Sequence, residues 1–230
     1  LDPGIFGLDP CPASSPACDN FGHGTFVASE VGANTDNNEG IASVGWKTSL
    51  GIFKVCFQEI VSDGVNFFLV GLCPLSASAE AITLAATDQP TRSQYHAITM
   101  SYGSDLVDPD TGEVMPSSPP NTECDAVLYA WNRGVVLVAG AGNNGNTQNF
   151  YPAACTDDPE TGAGQSTVIA VAASDHDDNR ASFSSYATNA DDWVSVAAPG
   201  DSIAGVLPDA HCELPSGVDT CVNWLDGTSM

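Results

Sequence analysis

Short apolar runs alternate along this chain with helical patterns. Runs rich in Val, Ile and Ala predict strands over residues 50–55, 97–102, 135–139, 168–173 and 193–197. Helices are predicted over 24–32, 77–87 and 124–133. The strands are apolar on both faces, the pattern of a parallel sheet covered by other layers. Strand–helix alternation then predicts an α/β fold, with a mostly parallel central sheet flanked by helices. In such folds the site lies beyond the carboxyl ends of the strands. Asp, Asn, Gly and Pro gather in loops over 34–40, 105–120 and 156–164, where side-chain-to-backbone bonding favours turns. No repeat or long linker divides the chain, so a single domain over 1–230 is expected.

Composition narrows the function classes. Apolar residues make up 43% and charged residues 15%, a globular balance. The longest apolar stretches, near 134–142 and 168–173, fall short of the roughly 18 residues of a membrane helix. Five Lys and Arg against 29 Asp and Glu give a net charge of −24. Such a surface repels phosphate backbones and anionic lipid, which argues against nucleic-acid and membrane partners. No phosphate-binding glycine loop is present, so nucleotide use is not expected. The 8 cysteines form no C-x-x-C pair, which argues against zinc ribbons and thioredoxin-like chemistry. An even count fits disulfides in an oxidising, extracellular setting. The simplest pairing is sequential: 11–18, 56–73, 124–155 and 212–221.

Three segments carry candidate chemistry. In the first, Gly22-His23-Gly24-Thr25, two glycines leave the imidazole open to close approach as the chain enters a helix. The second is the buried run 134–142, which leads into the amide-bearing turn Asn143-Asn144-Gly145. The third is Asp226-Gly227-Thr228-Ser229-Met230. A serine hydroxyl is a weak nucleophile at neutral pH and needs an adjacent base. His23 is the candidate base if the fold brings it to Ser229. Acyl transfer also needs a donor aimed at the developing oxyanion, and an Asn amide is suited to that.

Together these segments resemble the subtilisin-like serine peptidases, the subtilases. H-G-T-x-V-A recurs at 23–28, S-x-G at Ser101-Tyr102-Gly103 and A-G-N-x-G at 141–145. S-F-S-S recurs at 182–185, V-x-A-P-G at 196–200 and G-T-S-M at 227–230. The resemblance implies a three-layer α/β fold and a secreted endopeptidase acting on peptide or protein substrates. It implies His23 as general base, Ser229 as nucleophile and Asn143 as oxyanion donor. Ser101, Tyr102 and Gly103 become an edge that pairs with substrate, and Ala141 and Gly142 line the pocket for the side chain before the scissile bond. Cys124 and Cys155 are expected to be bridged, because some secreted bacterial subtilases have cysteines at similar places. No cofactor and no metal ligand is expected in catalysis. A structural calcium near Asp36, Asn37, Asn38 and Glu39 competes with a metal-free Asx-rich turn. An N-terminal propeptide is a further partner that the resemblance implies.

The family's triad Asp lies in a D-[ST]-G turn well before the His. Asp2-Pro3-Gly4-Ile5 copies it superficially, with Pro at the hydroxyl position and too close to His23. The Asp is therefore expected upstream of Leu1, with Asp2 as the alternative and Asp19 read as a loop-bonding residue. The family's helix after the nucleophile is absent, since the chain stops one residue after Ser229. The resemblance thus implies a catalytic domain incomplete at both ends, inactive by itself. Two rivals stand beside the peptidase: an inactive homologue that binds peptides, and a structural or calcium-dependent interaction module. The related sedolisins use acidic residues in place of this His and an Asp in the oxyanion hole, so His23 and Asn143 argue against them.

The charge imbalance generates a prediction. A net charge of −24 creates self-repulsion that salt screens. The melting temperature should rise from low to high NaCl. A flat or falling trend would show that charge repulsion does not control the stability.

Overall fold

The computed structural model describes residues 19, 21–62, 65, 67–88, 93–104, 121–188, 192–208 and 221–230. Asp2, Cys11, Cys18, His211, Cys212 and the 105–120 loop lie outside the described residues. The chain divides into two compact units, one of residues 1–72 and 202–225, the other of 73–201 and 226–230.

The larger unit carries the parallel sheet. Strands β3 (Ala97–Met100), β4 (Val136–Gly140), β5 (Ile169–Ser174) and β6 (Val196–Pro199) form it in the order β3-β4-β5-β6. Every neighbouring pair is parallel. This is the α/β arrangement that the alternating runs predict. Helices α2 (Leu75–Ala85) and α3 (Asn121–Trp131) pack on each other, and α3 packs on β4. Each buries one stripe: Ser78, Ala79, Ile82 and Ala85 on α2, and Glu123, Cys124, Ala126, Val127 and Ala130 on α3. These meet Met100, Leu137, Ala139 and Ala170 in one core. Small residues dominate it, so helix and sheet backbones approach closely. Gly134, at φ +77°, follows the α3 C-terminus and turns the chain into β4, as a left-handed glycine does at helix ends.

A polar cluster interrupts that core. Glu123 is 2% exposed, and its Oε1 accepts a 2.5 Å bond from the Ser78 hydroxyl. The Tyr102 hydroxyl lies 2.8 Å from the same Ser78 oxygen. Burial pushes the Glu123 carboxyl above its ordinary range, and the Ser78 bond opposes that only in part. Burial likewise pushes the Tyr102 phenol up to about 12. A disulfide joins Cys124 to Cys155, which fastens α3 to the turn that follows β4. Cys56, Cys73 and Cys221 are also disulfide-bonded.

The smaller unit holds α1 (His23–Gly32) and two antiparallel hairpins, β1 (Phe57–Ser62) with β2 (Phe67–Leu72), and β7 (Ile203–Val206) with β8 (Val222–Leu225). α1 stands on β7. The fully buried Phe26 ring covers Gly205, where a Cβ would lie 2.6 Å from Phe26 Cζ. The Ser29 hydroxyl accepts the Val206 N–H at 2.9 Å and donates to the Phe26 carbonyl at 2.7 Å.

Residues 50–55 are not a strand, which corrects the sequence reading. The Leu50 side chain packs over Gly32, yet Leu50, Ile52 and Phe53 remain 42, 66 and 36% exposed. A strand exists through its ladder, and apolar composition by itself does not make one. The last predicted run is displaced: β6 begins at Val196 rather than at Trp193, because Trp193 is a buried core residue ahead of the ladder.

The raised Glu123 pKa gives a stability test. Below the ordinary value of 4.5, folded and unfolded states both hold the proton. As pH rises, the unfolded chain ionises first, so the stability cost of Glu123 grows until pH passes its folded pKa and stays at its full value above it. Glu123→Gln should therefore melt above the native protein by a margin that grows from pH 4 toward neutrality. A margin independent of pH would refute a burial cost on the ionised carboxyl.

Candidate active site

The site of the larger unit lies where β3 and β4 end. Beyond β4 the chain runs through Ala141 and Gly142 to Asn143. The Ala141 N–H still bonds the Val171 carbonyl of β5 at 2.9 Å, and Gly142 turns at φ +96°. The 182–185 tract brackets this turn from the far side. Ser185 N–H donates to the Gly142 carbonyl at 2.9 Å, Gly145 N–H to Phe183 at 2.7 Å and Tyr186 N–H to Asn146 at 3.0 Å. Ser184, fully buried, takes the Ala173 N–H on its hydroxyl at 2.9 Å. A glycine-rich turn is thus held by neighbours on both sides.

Residues 226–230 dock into that corner. The Thr228 hydroxyl accepts the Gly142 N–H at 3.0 Å and donates to Asn143 Oδ1 at 3.0 Å. Thr228 N–H donates to the same Oδ1 at 2.9 Å. With Oδ1 taken by two donors, the NH2 end of Asn143 is the end left to donate elsewhere. Gly227 N–H donates to the Gly200 carbonyl at 2.8 Å, which pins the segment to the end of β6. Two glycines permit this approach. A Cβ on Gly140 would lie 2.7 Å from the Thr228 carbonyl oxygen, and one on Gly200 would lie 2.6 Å from that of Gly227.

Ser229 therefore stands beside the end of β3. Its carbonyl accepts the Ser101 hydroxyl at 2.9 Å, and its own hydroxyl makes a long 3.4 Å bond to the Ser101 carbonyl. Ser229, Asn143, Ser101, Tyr102, Gly103, Ala141 and Gly142 all belong to this one unit. Thr228 and Gly140 escaped the sequence reading. The G-T-S-M string contained Thr228, but nothing in sequence linked it to an amide 85 positions away.

His23 opens α1 in the smaller unit. Gly22, at φ +84°, occupies the N-cap without a side-chain cap. Asp19 supplies the capping instead. Its Oδ1 takes the Phe21 and Gly22 N–H groups at 3.2 and 2.9 Å. Its Oδ2 takes the Thr25 N–H and hydroxyl at 2.7 and 2.9 Å. Burial alone would raise the Asp19 carboxyl, but these bonds hold it below the usual range. Burial pushes the His23 imidazole below its ordinary value of 6.5, and the Asp19 charge opposes that shift. The uncharged imidazole is thereby favoured at neutral pH.

The 34–40 loop bonds to its own backbone. Asn37 Oδ1 is turned back on the Glu39 N–H at 3.2 Å, and Asp36 and Asn38 sit in left-handed turn conformations. Among the described residues, no group of three or more His, Cys, Asp or Glu converges as a metal site would.

The sequence profile of the subtilase family matches residues 12–230. This chain belongs to the subtilase family. It is 34% identical over 208 residues to thermitase of Thermoactinomyces vulgaris, covering 90% of this chain and 60% of thermitase. It is 35% identical over 185 residues to a thermophilic serine proteinase of Bacillus sp. strain AK1, covering 80% of this chain and 36% of that protein. The chain thus spans well under two thirds of the relatives it matches. A solved protease structure from Pseudoalteromonas arctica superimposes with a TM-score of 0.62 at 24% identity, over 90% of this chain and 54% of that one. That likeness is one of fold.

The Asp19 cap generates a prediction. Its depressed pKa means a stabilisation present above the ordinary value of 3.8 and lost as pH falls through the folded value. Asp19→Ala should cost about 0.5–2 kcal/mol at pH 7, the range of a lost helix cap, and progressively less in acid. Denaturant melts at both pH values check this, and an equal cost at the two would show that the carboxylate charge plays no part.

Proposed function

We propose that this chain belongs to the catalytic domain of a secreted serine endopeptidase, and that the whole protein cleaves peptide bonds through an acyl-enzyme. The observation that carries the reading is the pairing of Asn143 with Thr228, the residue just before Ser229. In the proposed reaction Ser229 Oγ attacks the scissile carbonyl while His23 takes its proton. His23 then gives that proton to the leaving amine, and water cleaves the acyl-enzyme by the same route. Asn143 Nδ2 donates to the oxyanion, where a fixed dipole needs no reorganisation as charge develops. Ser101–Gly103 pairs with the substrate backbone as an added strand. The depressed His23 pKa suits a base, because the imidazole must be neutral to accept a proton. Asp19 is not offered as the triad carboxylate, since both its oxygens serve the α1 N-terminus. No cofactor enters these steps. Every described cysteine is disulfide-bonded, which supports an oxidising, extracellular compartment.

The test is a fluorophosphonate probe and a chromogenic peptide applied to the intact protein. Labelling should fall on Ser229, and Ser229→Ala should abolish both labelling and hydrolysis. Asn143→Ala should lower kcat by about 10²–10³, the range known for the oxyanion asparagine of subtilisin, with KM nearly unchanged. Peptide binding without labelling would favour an inactive, peptide-binding homologue instead.

A further inference from the structure

The proposed reading takes 101–103 as the edge that pairs with substrate and 141–142 as lining of the pocket for the side chain before the scissile bond, so these two segments would wall that pocket. Both walls carry a glycine, and one aromatic ring touches both. A Cβ on Gly142 would lie 2.8 Å from Phe150 Cδ2 and 2.9 Å from Cγ. A Cβ on Gly103 would meet the same ring at Cε1 and, at 3.0 Å, at Cδ1. The Phe150 ring therefore fills the gap between the walls at the height of these glycines. A second ring cannot enter a slot already occupied by one, because close-packed groups do not interpenetrate.

The backbone beneath the ring is held firmly. The Phe150 carbonyl accepts the Ala154 N–H at 2.9 Å. Tyr151 exchanges both backbone bonds with Ser104, at 3.1 and 3.0 Å, and is itself 3% exposed. Cys155 completes the turn with its disulfide to Cys124 of α3. The ring also packs against the core that includes Met100 and Tyr151. A large substrate side chain would have to expel it from these contacts, whereas a methyl group or a hydrogen would not.

We propose that Phe150 closes the specificity pocket, so that this chain selects Gly, Ala or Ser before the scissile bond. The proposal rests on the peptidase reading and specifies its substrate class. The experiment uses chromogenic peptides that differ only in the last residue, Ala or Phe, with fluorophosphonate labelling as an independent measure of the Ser229 centre. The intact native protein should cleave the Ala peptide at least about tenfold faster in kcat/KM than the Phe peptide. Phe150→Gly and Phe150→Ala should raise the Phe-to-Ala ratio by about 10- to 100-fold, the scale expected from opening room for one buried aromatic side chain. Phe150→Leu, which keeps most of the bulk and protects folding, should move the ratio less. A native protein that labels yet cleaves the Phe peptide as well as the Ala peptide overturns the closed pocket alone, and that comparison needs no folded variant. An unchanged ratio in labelled, folded Phe150→Gly does the same. A protein that neither labels nor cleaves either peptide overturns the peptidase reading and the pocket with it.

Discussion

The buried Thr228 hydroxyl is the joint on which the larger unit turns. It takes one proton from Gly142 N–H and gives its own to Asn143 Oδ1, so a single side chain joins segments 85 positions apart. The contact works because both sides are sparse. Gly140 and Gly200 have no Cβ, and the 227–228 backbone lies against them. A methyl group at either position would force this backbone outward. Asn143 would then lose both donors that orient its amide, and Ser229 would leave the Ser101 carbonyl. The position of the hydroxyl, the orientation of the amide and the edge of β3 are therefore one geometric fact.

The surrounding framework resists the loosening that such a joint would otherwise suffer. Loops carrying function are normally the most mobile part of a domain. Here the 141–146 turn is bonded by the 182–186 tract on one side and by Thr228 on the other. The Cys124–Cys155 bridge fixes the next turn to α3. Beneath the 101–103 segment, Tyr102 leans on Ser78, and Ser78 leans on the buried Glu123. A carboxyl in that position is costly when ionised. Its neutral form can share the short bond with Ser78 without carrying charge into the core.

The two units use the same device on different scaffolds. In the smaller unit, Phe26 seats on Gly205 as Thr228 seats on Gly140. Asp19 satisfies the start of α1 while adding a negative charge near His23. That charge tempers the desolvation of the imidazole, so burial and electrostatics pull its pKa in opposite directions.

The sequence alone pointed to the parallel strands and their helices, because the apolar runs over 97–102, 135–139 and 168–173 lack an alternating polar face, the pattern of a parallel sheet flanked by helices. It also pointed to His23, Asn143 and Ser229, through the resemblance of their three segments to the subtilases rather than through any one residue, since a serine after Gly-Thr is unremarkable alone. The β1–β2 hairpin was legible but unread: Asp63-Gly64 stands between two apolar runs, a hairpin signal in its own right. Residues 50–55 show the opposite failure, an apolar run that promises a strand and forms none. Other facts belonged to the tertiary structure alone. That Thr228 orients Asn143, that Glu123 is buried against Ser78, and that Phe150 lies between Gly103 and Gly142 all follow from which distant backbones come within contact distance. Local pattern encodes the periodicity of a segment and the freedom of its turns. It does not encode how closely two segments far apart in the chain will pack, and the chemistry of this corner depends on that closeness.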